Sequence, residues 1–388
     1  MARYLRLPAG QQPDWGDAWL VEKVRADLAA LPGLVGWDEV RRLRALLAEA
    51  AAGRLLIVQA GDCAEDPAEC TAEVVDRKVG LLDALAGVVR MRTGLPVLRV
   101  GRIAGQFAKP RSRPTELVDG VELPVFRGLV VNDTKPEPMA RRADPLRLIT
   151  GYRAAAVAMH RLRRQSGTWT PLPEPGVWTS HEALLLDYEL PSLRRSDDGR
   201  QLLTSTHWPW IGERTRDPAG AHVRLLADVV NPVACKVGPN CTPAQLLELC
   251  AALDPDREPG RLTLIARFGA GRLADGLTDL VSAVRQAGHP VIWLCDPLHG
   301  NTVTTPGGVK TRLLTAVLRE VGEFLTAVRR GGGTAGGLHL EATPDPVAEC
   351  AADDEDMAGV GRSGTYTTLC DPRLNPGQAL SVAAAWRS

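Results

Sequence analysis

Four fixed cations stand at or just beyond the ends of short apolar runs: Arg102 after 96–100, Arg214 after 208–211, Lys236 after 233–235 and Arg267 after 262–266. Burying unpaired cations around one centre is costly, so such a set implies an anion that binds there. Guanidinium forks match the geometry of carboxylates and phosphates. A local acid such as Glu213 or Asp296 can serve one of the four, but few acids occupy the same run ends. Lys109-Pro110-Arg111-Ser112 adds two cations and a hydroxyl beside a proline, which suits a second phosphate.

A second set of residue types points to a metal. The apolar run 291–294 ends in Cys295-Asp296-Pro297-Leu298-His299-Gly300. Cys63 and Glu341 also follow apolar runs, and Asp371 lies near the C-terminus. Thiolate, imidazole and two carboxylates together mix soft, borderline and hard donors, a combination suited to Mn²⁺, Fe²⁺, Co²⁺ or Zn²⁺. His181, His207 and His339 compete with His299 for the imidazole position. His339 precedes Glu341 by two residues and would share its face in a strand. Two anion sites beside a divalent ion imply chemistry that joins or splits phosphorylated metabolites.

Composition narrows the class. The chain has 388 residues, 45% of them hydrophobic and 24% charged, which is enough for a sizeable globular core. Its 46 basic and 46 acidic residues cancel, so there is no electrostatic case for nucleic acid or an anionic membrane surface. Apolar runs are short and no signal peptide opens the chain, so the expected location is the cytoplasm. None of the 8 cysteines forms a C-x-x-C pair, which argues against a zinc ribbon.

The elements that must position these residues repeat. Strand-like runs occur at 55–59, 96–100, 177–179, 208–211, 233–235, 262–266, 291–294 and 337–340. Most are followed by a segment of helical length, and polar residues consistently come after the run rather than before it. Eight strand–helix repeats predict an α/β fold of the (β/α)₈ TIM-barrel type, in which parallel strands gather those residues on one rim. An open doubly wound sheet fits less well, because no G-x-G-x-x-G opens a helix. Residues 1–52 carry two amphipathic patterns and read as a helical extension packing on the barrel. Residues 53–388 read as the catalytic barrel, with 106–150 a long loop insertion after strand two.

The motifs run in an order that resembles the class II 3-deoxy-D-arabino-heptulosonate 7-phosphate (DAHP) synthases. Those carrying the resemblance include Gln59-Ala60-Gly61-Asp62-Cys63-Ala64-Glu65, Gly101-Arg102-Ile103-Ala104-Gly105-Gln106-Phe107-Ala108-Lys109-Pro110-Arg111-Ser112 and Thr179-Ser180-His181-Glu182-Ala183. Further matches are Trp210-Ile211-Gly212-Glu213-Arg214-Thr215-Arg216, Lys236-Val237-Gly238-Pro239, Gly337-Leu338-His339-Leu340-Glu341 and Cys370-Asp371-Pro372-Arg373-Leu374-Asn375. The resemblance implies a transferase, a 3-deoxy-7-phosphoheptulonate synthase. It condenses phosphoenolpyruvate with erythrose 4-phosphate and releases phosphate, at the entry to the shikimate pathway and aromatic amino-acid biosynthesis. It assigns Cys63, His299, Glu341 and Asp371 to the metal, Mn²⁺ before Co²⁺, Zn²⁺ or Fe²⁺. Phosphoenolpyruvate falls to Arg102, Glu213, Arg214, Lys236 and Arg267, and the aldose phosphate to Lys109, Arg111 and Ser112, which makes the 106–150 insertion part of the acceptor site. Lys236 is expected to move protons and Glu213 to order water. A homodimer is the expected assembly, with a chorismate mutase as a conceivable partner.

The departures from the family pattern are local. Phe126-Arg127-Gly128-Leu129-Val130-Val131-Asn132 lacks the family's acid after the glycine, the helix at 147–155 lacks its Gln-Ser, and Pro209 sits inside a strand. The chain is short relative to members that sense aromatic amino acids, so inhibition by Trp, Phe or Tyr is not expected. These features favour a copy serving secondary metabolism. Two alternatives stand beside the main reading: the same chemistry on an amino or imino analogue of the aldose phosphate, and a non-catalytic relative that binds phosphate ligands.

Overall fold

The computed structural model describes residues 3–118, 120–169, 176–273, 276–361 and 365–387. Eight strands close a parallel barrel: β1 Leu56–Gly61, β2 Val97–Arg102, β3 Trp178–Glu182, β4 Trp208–Ile211, β5 Val233–Val237, β6 Leu262–Ala266, β7 Ile292–Cys295 and β8 Thr334–Glu341. Each strand pairs with its neighbours in chain order, and β8 closes on β1. The (β/α)₈ expectation from the strand count is therefore what the chain forms. Helices α1 Ala18–Ala30 and α2 Trp37–Ala51 precede the barrel. The remaining helices are α3 Ala72–Thr93, α4 Leu146–Trp169, α5 Leu186–Glu189, α6 Ala221–Ala227, α7 Pro243–Leu253, α8 Gly276–Gln286, α9 Leu314–Gly331 and α10 Pro376–Ala385. Among the described residues no helix is long and apolar enough to cross a membrane.

Alternation along each strand builds the barrel interior in layers. Its floor is apolar: Ile57, Leu98, Trp178, Trp208, Ile265 and Ile292 pack with Leu43, Leu47 and Ala50 of α2. Thus α2 closes the N-terminal mouth, and a separate shell of apolar residues fills the space between strands and outer helices. Two residues further along the strands the interior turns polar, at Gln59, Ser180 and His339. Two more bring Arg102, Lys236, Asp296 and Glu341 to the opposite rim.

One strand boundary needs correction, and Pro209 lies inside its strand as read. The last run reads as 337–340, yet β8 begins at Thr334 and passes through Gly336 and Gly337. At Gly337 (φ 141°) a Cβ would lie 1.9 Å from the Ile57 carbonyl oxygen, so glycine there permits strand contact instead of breaking it. Pro209 is tolerated because the ladder between β4 and β5 starts at Trp210, one residue beyond it.

Outer helices reach into the rim loops. Glu320 of α9 is fully buried and accepts from Phe268 N (3.2 Å), Gly269 N (3.0 Å) and Asn301 Nδ2 (2.5 Å). It thereby ties the loop after β6 to the loop after β7. Burial pushes its carboxyl up to about 7, against the hydrogen bonds from these donors. With the folded value above the ordinary one of 4.5, the native state holds the proton more tightly. Its stabilising contribution is full below the unfolded value and is lost as pH rises through the folded one. Urea unfolding of the wild type and Glu320→Ala should show the substitution costing about 2 kcal/mol more at about pH 5.5 than at about pH 8. An equal cost at both would contradict the assignment.

Candidate active site

Glu341, the last residue of β8, is the centre of the rim. It is fully buried, and its Oε1 lies 3.1 Å from Arg102 Nη2, 3.1 Å from Lys109 Nζ and 3.0 Å from His299 Nε2. Its Oε2 lies 2.7 Å from Arg312 Nη2. Burial alone would raise this carboxyl; the charges of His299, Lys109, Arg312 and Arg102 more than offset it and hold it well below the usual range. Arg102 reaches Glu341 across β1 because the residue between them in register is Gly61. A Cβ at Gly61 (φ 153°) would come within 2.7 Å of the Arg102 carbonyl oxygen.

Cys63 and Asp371 complete an acidic cluster. Cys63 Sγ, a Glu341 oxygen and an Asp371 oxygen lie within 4.8 Å of one another. Two elements bring them together. The segment bearing Asp371 runs beside β8, with Leu374 N donating to Glu341 O at 3.0 Å. Arg373 in the same segment pairs with buried Asp62 (2.7 Å) and Glu349 (2.8 Å), anchoring it to the loop after β1. Burial drives the Cys63 thiol well above its ordinary value, and the neighbouring carboxylates add to this. Lys109 Nζ lies in the middle of the cluster, 2.6 Å from Cys63 Sγ and 2.9 Å from Asp371 Oδ2. Its pKa is held well above normal because Asp371, Cys63 and Glu341 outweigh its desolvation. These donors fit a divalent cation: a thiol and two carboxylates converge on the Lys109 ammonium, and their donor types suit a divalent metal.

His299 joins this cluster to a second one. Its Nε2 faces Glu341, and its Nδ1 lies 2.7 Å from Asp296 Oδ2. An imidazole with one nitrogen on a carboxylate and the other facing the donor set is arranged as metal-ligating histidines are. Asp296 Oδ2 also pairs with Lys236 Nζ at 2.8 Å, as expected of a rim cation partner, and Lys236 Nζ stands 3.3 Å from His299 Nδ1. Burial lowers the Lys236 pKa, and Asp296 only partly restores it. Lys236 is therefore the rim amine whose proton is most easily lost.

Lys109, Lys236, His299 and Asp371 line a cavity of about 400 Å³, with Cys63, Glu341 and Asp296 fully buried. The walls carry the other sequence candidates. Arg267 Nη2 donates to the His299 carbonyl at 3.2 Å, and Arg214 Nη2 donates to Ser112 Oγ at 2.7 Å. Among the described residues neither Arg214 nor Arg267 reaches a carboxylate, whereas Arg102 and Lys236 do. Arg111 faces Glu116 at 3.6 Å, and Glu213 pairs with Arg216 at 3.1 Å while its Oε2 has no partner. The loop with Lys109, Arg111 and Ser112 is set by Glu65, which accepts from Ala104 N (3.2 Å), Gly105 N (3.0 Å) and Gln106 N (2.9 Å). In the stretch around Leu129, Asn132 clips the backbone through Arg127 N, Val125 O and Arg141 O.

Three contributors escaped the sequence reading. Arg312 and Lys310 sit on a hairpin, Thr302–Thr304 with Lys310–Arg312, that no run end announces. Arg312 is fully buried against Glu341, and Lys310 Nζ meets Asp371 Oδ1 at 3.0 Å. Glu182, at the end of β3, lines the cavity with Oε1 unpartnered, and burial raises its carboxyl despite nearby Lys236 and Lys109. Its position after an apolar run was the available signal.

A closed parallel barrel with its polar constellation on the C-terminal rim defines a (β/α)₈ enzyme. The family model described as the Class-II DAHP synthetase family matches residues 1–175 and 165–386, so the chain belongs to that family. It is 54% identical over 391 residues to a Pseudomonas fluorescens protein named "Probable phospho-2-dehydro-3-deoxyheptonate aldolase", covering 100% of this chain and 97% of that one. A Streptomyces coelicolor phospho-2-dehydro-3-deoxyheptonate aldolase is 38% identical, covering 97% of this chain and 94% of the relative. The solved structure of a Francisella tularensis phospho-2-dehydro-3-deoxyheptonate aldolase shares the fold, with TM-score 0.56 and 12% identity, covering 95% of this chain and 97% of that one.

Asp296→Asn removes the charge shared by Lys236 and His299. The catalytic rate or the affinity for a divalent metal should fall by about 10- to 100-fold with the fold intact by circular dichroism. Both staying within about twofold would show that Asp296 only packs.

Proposed function

We propose that the chain is a DAHP synthase that condenses phosphoenolpyruvate with erythrose 4-phosphate and releases phosphate at the entry to the shikimate pathway. The observation that carries this reading is one cavity lined by Arg214, Arg267, His299 and Asp371, where Asp371 belongs to a cluster with the buried Cys63 and Glu341. The likeness over nearly the whole chain to relatives named as phospho-2-dehydro-3-deoxyheptonate aldolases supports it.

Arg102, Arg214, Lys236 and Arg267 bind the phosphate and carboxylate of phosphoenolpyruvate. Arg111 and Ser112 take the aldose phosphate, on the part of 106–150 that lines the cavity. A divalent cation, Mn²⁺ first, would be held by Cys63, His299, Glu341 and Asp371, and when bound it supplies Lewis-acid polarisation of the aldehyde oxygen. An ammonium cannot share these donors with a dication, so Lys109 must swing off them and becomes free for the acceptor. The cationic walls hold C3 of phosphoenolpyruvate against the aldehyde carbon, and much of the acceleration is this positioning. The new C–C bond leaves positive charge at C2, which water quenches with Glu213 ordering it. Phosphate then leaves by C–O cleavage. Lys236 Nζ, with its lowered pKa and its link through Asp296 to His299, supplies and recovers the proton. A homodimer and a role in secondary metabolism belong to the same proposal. Leu129 in place of an acid favours a second reading, in which the acceptor is an amino or imino analogue of the aldose phosphate.

Steady-state phosphate release with Mn²⁺, phosphoenolpyruvate and a panel of aldose phosphates, with product mass recorded, tests both readings. The mass of DAHP is expected, and an aminated product mass would favour the second. Lys236→Met should slow turnover by about 10²-fold or more; a loss of only a few-fold would remove Lys236 from the proton path, and no phosphate release with any aldose would overturn the function.

A further inference from the structure

One buried line of polar groups in the barrel interior is absorbed by none of the roles above. It runs from the Gly101 carbonyl through Ser180, Gln59 and His339 to Arg102. Ser180 Oγ lies 3.1 Å from Gly101 O and 2.8 Å from Gln59 Nε2. His339 Nδ1 lies 2.7 Å from Gln59 Oε1, and His339 Nε2 lies 3.0 Å from Arg102 Nη1. Exposure is 0% for Ser180 and His339 and 1% for Gln59 and Arg102, so the line is shut off from bulk solvent.

The hydrogen-bond inventory fixes every proton from one end. A carbonyl only accepts, so Ser180 gives its single proton to Gly101 O. The serine oxygen then accepts from the amide nitrogen of Gln59. That turns the amide oxygen toward His339, whose Nδ1 must carry the hydrogen. The neutral ring is left with a bare Nε2, the atom facing Arg102, and a guanidinium can only donate. Any other protonation sets two N–H groups head to head in a dry interior. The ring is held edge-on to Trp210, with centroids 5.2 Å apart and planes at 88°. Arg102 is also fixed at its other arm, where Nη2 meets Cys63 O at 3.3 Å and Glu341 Oε1 at 3.1 Å.

We propose that His339, locked as the Nδ1–H tautomer by Gln59 and Ser180, is a positioning residue that fixes the guanidinium plane of Arg102 for phosphoenolpyruvate. The inference rests on the proposed function for the identity of that ligand. His339 touches no substrate; it acts through Arg102, which lines the cavity.

Nitrogen-15 spectra of imidazole-labelled protein should show His339 protonated at Nδ1 and bare at Nε2. His339→Phe keeps a ring against Trp210 but removes the acceptor. It should raise the KM for phosphoenolpyruvate by about 10- to 100-fold, the weight of a hydrogen bond to a charged group. The KM for the aldose phosphate should stay within about twofold. His339→Gln, which can donate to Gln59 and accept from Arg102, should recover most of the loss. A resonance pattern with Nε2 protonated would overturn the proposal, as would a folded His339→Phe protein with unchanged phosphoenolpyruvate KM. If His339→Phe fails to fold, the wild-type spectrum and the His339→Gln kinetics still decide. If the wild type turns over no aldose phosphate, the functional reading fails separately, and calorimetric binding of phosphoenolpyruvate to wild type and variants replaces KM as the readout.

Discussion

The rim is organised around one buried carboxylate, Glu341, and the four positive or positive-capable side chains that close on it. Arg102, Lys109, His299 and Arg312 all approach within 3.1 Å of its oxygens, and Arg312 is itself fully enclosed. Leaving a buried charge unpaired costs several kcal/mol, so none of these groups can depart without a replacement. The constraint reaches outward. Gly61 must lack a side chain for Arg102 to cross β1, and the hairpin after β7 must fold back to deliver Arg312. The segment bearing Asp371 must run beside β8, which the Arg373 pair with Asp62 secures.

The same electrostatics divides the cavity into two halves. On one side Cys63, Glu341 and Asp371 surround the Lys109 ammonium with donor types that suit a dication. On its walls Arg214 and Arg267 have hydroxyl and carbonyl partners but, among the described residues, no carboxylate. An anion with two charged ends and an acceptor with a phosphate of its own would complete the balance on that side. Between the halves stands Lys236, lowered by burial and tethered to His299 through Asp296, where a proton can pass from one side to the other.

The barrel was legible in the sequence because its signal is repeated. Eight apolar runs ending in polar residues survive an error of a residue or two at each boundary. Parallel strands also explain why Cys63, Arg102, Lys236 and Glu341 converge although they are far apart in the chain. The glycines of β8 were misleading, because composition cannot separate a glycine that breaks a strand from one that admits a neighbouring backbone. Arg312 and Lys310 were invisible because a hairpin on a rim loop has no periodicity to mark it. Lys109 was visible as a cation beside Arg111, but the direction of a long side chain is set by the nearest excess of negative charge. Here that excess is the Cys63, Glu341 and Asp371 cluster. Glu320 and Gln59 illustrate the remaining gap: each acts through backbone or tautomer contacts that only the assembled barrel creates.

The claim that the Glu341 cluster is built for a metal dication is tested most directly with Co²⁺ as a spectroscopic probe. Added to the wild-type protein, Co²⁺ should produce a thiolate-to-metal charge-transfer band in the near ultraviolet, and Cys63→Ser should bind the ion more weakly and lack the band. Co²⁺ binding with no such band, or a band unchanged in Cys63→Ser, would place the metal elsewhere and contradict the role given to this cluster.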